Sequence, residues 1–119
     1  MNNLIEPDNI VHKLIQLSKI FKEGFTIELK NNQINQYSNI EKPYIVSYLT
    51  VIEIKNDKPL FKNIQHIPNN CIIGGWRDSY SYLIELNKTF KSKKEALKFA
   101  KKWKQRYIYN LKTQKCIEI

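Results

Sequence analysis

Residues 44–54 read YIVSYLTVIEI. The run is rich in β-branched and aromatic side chains, and its first half is apolar at consecutive positions. That is the pattern of a central β-strand buried on both faces. A central strand needs neighbours, and the flanking sequence offers them. Cys71-Ile-Ile-Gly-Gly-Trp76 reads as a strand running into a glycine pair, and Tyr80 to Leu86 alternates apolar with polar. Arg77-Asp78-Ser79 between them is turn chemistry, which predicts a hairpin. Phe25 to Leu29 alternates in the same way, and the Asn- and Gln-rich segment 31–39 reads as a loop or hairpin tip. Tyr107 to Leu111 and Cys116 to Ile119 flank Lys112-Thr-Gln-Lys115 as a closing hairpin. Between Pro59 and Pro68, Leu60, Phe61, Ile64 and Ile67 suggest a short helical turn pinned to the core.

Two helices complete the layout. Ile10, Val11, Leu14, Leu17, Ile20 and Phe21 recur at helical spacing, with Asp8 as the expected N-cap and Gly24 as the expected stop. Ser92-x-x-Glu95 is a capping-box pattern, followed by a stripe of Ala96, Phe99, Ala100, Trp103 and Tyr107. The order helix, two strands, turn, two strands, helix, two strands implies an α+β fold. Its expected form is a mostly antiparallel sheet of about five to six strands with two helices packed on it. The 119 residues show no internal repeat or linker, so a single domain spanning 1–119 is expected.

Composition bounds the function classes. A hydrophobic fraction of 42% and an aromatic fraction of 12% belong to a folded globular chain. Two cysteines, Cys71 and Cys116, set no disulfide framework and read as small buried residues in a reducing compartment. The N-terminus lacks the charged and apolar blocks of a leader, and no apolar stretch is long enough to span a membrane, so a cytoplasmic location is expected.

Charge is the feature that points to a partner. The formal net charge is +9, and residues 92–106, SKKEALKFAKKWKQR, hold seven basic side chains and one acid. Lys94, Lys98, Lys101 and Gln105 fall on one helical stripe opposite Ala96, Ala100, Trp103 and Tyr107, with Lys102, Lys104 and Arg106 alongside. A positive helix face suits a polyanion or an acidic protein surface more than a small substrate. Lys outnumbers Arg eighteen to two, which fits AT-rich coding and poorly fits bidentate base reading.

Catalytic chemistry is sparse. His12 and His66 are far apart in sequence, and neither has Cys, Asp or Glu at ligand spacing, so no metal or other cofactor is expected. A nucleophilic pair of Cys71 with His66 or His12 needs one shared cleft and an orienting group. Glu28, Glu53 and Glu85 sit singly on separate strands and read as outward-facing acids. Gly74-Gly75 lacks the context of a phosphate loop and marks a bulge or a close approach. Trp76 either fills the gap these glycines leave or, with Arg77, stands exposed at a sheet edge as a partner anchor, Asp78 being the obvious mate for Arg77.

The second half carries a further pattern: Gly74, Gly75, Trp76 and Asp78, then Tyr82, Leu83, Leu86 and Phe90. Glu95, Ala96, Leu97 and Ala100 follow, and then Ile108, Tyr109, Asn110, Leu111, Thr113 and Ile117. Over about 45 residues this resembles small accessory proteins of phages and integrative elements, and the chain looks similar to anti-CRISPR proteins. Two departures stand out: Gln114 replaces the turn glycine expected after Thr113, and the usually acidic helix is basic. The resemblance implies a non-catalytic binding protein that inhibits a host defence effector, its partner being the effector complex or its RNA. Its contact residues would be Lys94, Lys98, Lys101, Lys102, Lys104, Arg106, Trp76 and Arg77. The alternative expectation is a general nucleic-acid-binding accessory protein of a mobile element.

Overall fold

The structure, a computed structural model, describes residues 7–119, with side chains from Ile10 onward. Residues 1–6, on which the leader reading partly rests, lie outside the described residues. Helix α1 spans Pro7–Ile20 and helix α2 Lys93–Lys102. The strands are β1 Gly24–Lys30, β2 Gln33–Gln36, β3 Tyr44–Lys55 and β4 Lys58–Phe61, then β5 Cys71–Arg77, β6 Tyr82–Phe90, β7 Tyr107–Asn110 and β8 Lys115–Glu118. They form one antiparallel sheet in the order β2-β1-β5-β6-β3-β7-β8, with β4 also paired to β3. The α+β class holds, with eight strands in place of five or six.

Strand β3 is central, but it is not buried on both faces by simple alternation. Its register against β6 shifts twice, between Ser47 and Leu49 and between Thr50 and Ile52. Tyr48 and Val51 are the extra residues. A bulge of this kind turns two consecutive side chains to one side. Tyr48-Leu49 and Val51-Ile52 therefore join Tyr44, Val46 and Ile54 on one face, and Ile45, Ser47, Thr50 and Glu53 occupy the other. Twelve residues of strand thus present more apolar surface to one side than a regular pleat allows.

Both helices cover that richer face. Directly paired residues share a face, which places Ile27, Ile73, Leu86 and Leu49 in one row across β1, β5, β6 and β3. Ile10, Val11 and Leu14 of α1 close over this row to make the larger core. Only the front of the apolar stripe is buried, since Ile20 and Phe21 are exposed. Under α2, Ala96 and Ala100 meet Val46 and Ile108 in a second, smaller core. The two alanines let the helix sit close to the sheet.

Two short hairpins account for the extra strands. Asn31 and Asn32 have φ of 51° and 65°, and Asn56 and Asp57 have 51° and 62°. Two consecutive left-handed residues make the tight turn whose twist matches a hairpin. The first joins β1 to β2 and the second joins β3 to β4. Pro59 is accommodated because β4 is a short outer strand. The expected helical turn is a 3-10 turn at Ile64–His66, with Ile64 and Ile67 packed on the core and Leu60 and Phe61 exposed.

Helix limits differ from the sequence reading at both ends of α1. Asp8 lies inside the described helix, at a helical position and not at a cap. Gly24 does not end it either, because Gly24 is the first residue of β1 with φ 147°. A β-carbon there would stand 2.7 Å from the Gly75 carbonyl oxygen.

Candidate partner-binding surface

The net charge of the chain is confined to one part of the fold. Residues 87–119 carry eleven Lys and Arg against two acids, a net of +9, whereas residues 1–86 carry nine against nine. The positive segment comprises the end of β6, all of α2, and β7 and β8. These elements line the smaller core and one side of the sheet.

Helix α2 presents this charge on a self-sufficient scaffold. The Ser92 hydroxyl accepts the Glu95 N–H at 3.1 Å, and Ser92 Oγ also lies 3.1 Å from Glu95 Oε1. At the other end the chain caps itself. Trp103 N–H bonds Phe99 O at 3.0 Å, Lys104 N–H bonds Lys101 O at 3.2 Å, and Gln105 N–H bonds Ala100 O at 2.8 Å. This is a Schellman closure, with Lys104 at φ 56° in the position glycine usually fills. The helix therefore stops at Lys102, and Lys104 and Arg106 sit on the turn that follows.

Lys94, Lys98, Lys101, Lys102, Lys104 and Arg106 are all exposed. Both ion pairs among the described residues fall on Glu53, from Lys62 at 3.0 Å and Lys55 at 3.7 Å. Lys62 and Ser81 hold the Glu53 carboxyl below its usual range. None of the α2 lysines shares an ion pair or hydrogen bond with another side chain among the described residues. The face has no internal compensation and is free to meet an anion.

Aromatic side chains seat the helix. Phe99 lies 5.2 Å from Phe90, and Tyr48, on the first bulge of β3, meets Phe99 edge-on at 5.8 Å. Lys88 stands over Phe99 at 5.4 Å. Trp103 closes the group, 5.5 Å from Tyr48 and 5.9 Å from Phe99, yet 44% of it remains exposed. Tyr107, expected on the helical stripe, is instead the exposed first residue of β7, with Arg106 over its ring at 5.7 Å.

Trp76 and Arg77 do not form one anchor. They are neighbours on β5, an interior strand, and so point to opposite faces. Trp76 lies on the open face, where its indole N–H donates to Glu85 Oε1 at 2.7 Å. Glu85 is 8% exposed and also accepts from Thr50 Oγ1 at 2.8 Å. Arg77 lies on the helix-covered face, over the Tyr82 ring at 5.5 Å, and its Nε donates to Lys22 O at 3.2 Å. Asp78 is not its mate, because the Asp78 carboxylate accepts the Ser79 N–H. Arg77 pairs with Tyr82 at the start of β6, whereas the basic segment begins near its end, about 20 Å along the strand.

The glycine pair is a packing device. The register runs unbroken through Gly74 and Gly75 on both sides, so there is no bulge. Phe25 covers Gly75 on one face, and the Asn87 side chain lies over Gly74 on the other. Trp76 fills neither gap.

The remaining chemistry-bearing residues are scattered. His12 and His66 are exposed, and no group of three or more His, Cys, Asp or Glu is gathered as metal ligands among the described residues. Burial pushes the Cys71 thiol up to about 11, which suppresses the nucleophilic thiolate. Cys116, expected to be buried, is exposed on the edge strand β8. Glu28, Glu53 and Glu85 do share the open face. However, Glu53 and Glu85 are each engaged by donors, so neither is a free acid or base. A shallow groove of about 490 Å³ between α1 and the β1–β2 hairpin is lined by Lys13, Gln16, Leu17, Ile20, Ile34 and amide side chains, and it holds no acid or histidine.

No described helix is long and apolar enough to cross a membrane. Comparison with protein-family models, curated proteins and solved structures finds no match to this chain.

Proposed function

We propose that the protein is a non-catalytic binding protein of a phage or mobile element. It acts in the cytoplasm of a bacterial host and inhibits a defence effector by docking its basic side on the effector complex or its RNA. The observation that carries this reading is the confinement of all net charge to residues 87–119, on lysines with no acidic mates among the described residues. Codon bias toward Lys would spread charge along the chain, whereas here the first 86 residues balance to zero. The resemblance in the second half supplies the setting.

The test uses the purified protein with a guide-loaded effector complex encoded beside its gene. The wild type should bind the complex and slow target cleavage, and the variant K94Q/K98Q/K101Q/K102Q should do neither. A wild type that leaves both binding and cleavage untouched overturns the reading. The alternative, a general nucleic-acid-binding accessory protein, is favoured by one observation: a half-exposed tryptophan set among the cations.

A further inference from the structure

Trp103 is the residue whose placement the helix does not explain. Large aromatics at a helix end normally finish the core, and its neighbours Ala100 and Phe99 do so. Trp103 packs one part of its indole on Tyr48 and Phe99 and leaves 44% open. Around it in sequence stand Lys101, Lys102, Lys104 and Arg106, all exposed. The carbonyls of Phe99, Ala100 and Lys101 accept backbone N–H groups, and Trp103 O accepts from Gln105 Nε2 at 3.2 Å. No lysine ammonium group caps these four carbonyls.

Lys104 fixes the shape of this corner. It holds a left-handed backbone at φ 56° where glycine would be relaxed. Four of the other five non-glycine residues with positive φ are Asn or Asp, which tolerate that region. The turn made at Lys104 ends the helix and keeps Lys104 and Arg106 at the same corner as Trp103.

We infer that the α2 C-terminal corner binds single-stranded nucleic acid, with Trp103 stacking on an unpaired base and Lys101, Lys102, Lys104 and Arg106 holding the flanking phosphates. This rests on the reading of the basic side as the contact surface and names its ligand. The π face of an indole is electronegative, so it disfavours a carboxylate, and its broad flat surface suits stacking on a nucleobase. The carboxylates of an acidic protein would use the lysines and gain nothing from the ring, which would need a separate apolar patch to pack on. A nucleic-acid strand uses both, because base stacking and phosphate neutralisation are its two general modes of contact. A duplex keeps its bases stacked on each other and withholds them from the ring. The scarcity of arginine also fits backbone contact without base reading.

The experiment measures binding of the full chain to a labelled oligouridine of about twelve nucleotides, within the span one small domain covers, and to an abasic strand of equal length. Retention on heparin, a polyanion without bases, runs in parallel. Oligouridine should bind more tightly than the abasic strand, and W103A should remove that difference with a loss of about tenfold. W103L keeps apolar packing on Tyr48 and Phe99 and should lose as much, whereas W103F should retain part. In a W76F background, oligouridine should quench the Trp103 fluorescence. Equal affinity for both strands, or W103L binding like the wild type, overturns the stacking site. If heparin retention persists in that case, the basic surface stands and an acidic protein becomes its partner. A wild type that heparin does not retain overturns the basic-surface reading as well.

Discussion

The ring of Phe25 occupies the space that a side chain on Gly75 would need. The two residues face each other across the β1–β5 ladder, and a β-carbon on Gly75 would lie 2.8 Å from Phe25 Cδ2 and Cζ. Phe25 cannot simply retreat, because it stacks on Tyr82 with ring centroids 6.3 Å apart, and Tyr82 is 2% exposed. Gly75→Ala should therefore destabilise the fold by about 1–3 kcal/mol, the range for overpacking a filled core. The double variant F25L/G75A should recover part of that loss. Chemical denaturation of the three variants measures the coupling, and strictly additive losses would show that the ring is not the obstacle.

Lys104 and Gln114 hold φ of 56° and 57° in turns that glycine would fill without strain. Lys104→Gly and Gln114→Gly should each stabilise the protein by about 0.5–1 kcal/mol, read as a rise in denaturation midpoint. The two differ in function. Lys104→Gly should weaken oligonucleotide binding, and Gln114→Gly should leave it unchanged.

Tyr82 ties pH to stability. Its hydroxyl donates to Phe21 O at 2.7 Å, and burial pushes its pKa from 10.0 to about 12. The raised value means that folding favours the protonated phenol. The resulting stability is complete below pH 10 and is lost as pH climbs from about 10 to about 12. Tyr82→Phe removes both the hydrogen bond and the titration. Its deficit, about 1 kcal/mol at neutral pH, should shrink over that window. A deficit that stays constant to pH 12 would exclude this linkage.

The α2 lysines have no ion-pair mates among the described residues, so neutralising them relieves repulsion and gives up only the weak attraction of Lys101 and Lys102 to the helix C-terminus. K94Q/K98Q/K101Q/K102Q should match or slightly exceed the wild type in stability, within about 0.5 kcal/mol. Its affinity for a single strand should respond less steeply to salt, by about 0.7 in log–log slope for each contacting lysine lost. An unchanged slope would place the contact elsewhere.

What the sequence disclosed and what it hid have physical reasons. The run at 44–54 reads as a strand because its composition is unambiguous, but consecutive apolar residues suit two-sided burial and paired bulges alike. Only the register against β6 separates the two. Strands β2 and β4 were hidden because their turns are Asn31-Asn32 and Asn56-Asp57, left-handed pairs without the glycine that usually advertises them. Tyr107 sits four positions after Trp103, a spacing that continues the helical stripe on paper. The left-handed Lys104 breaks the helix first, and that conformation has no signature in a lysine. The division of Trp76 from Arg77 was available all along, since neighbours on a strand must face opposite ways. The basic face was legible residue by residue, but the exposure of Trp103 depends on the tertiary position of Tyr48 at a bulge.

A molecule 44 Å long with +9 on its last 33 residues and a balanced remainder is an electric dipole. In the field of a polyanion it experiences a torque before any contact forms, so productive encounters begin with α2, β7 and β8 in the lead. The screening length is about 8 Å at physiological ionic strength, which confines this torque to close approach, and dilute salt extends it. Under the proposed function, Lys112 and Lys115 on the β7–β8 hairpin would contribute to how fast a complex forms more than to how long it lasts.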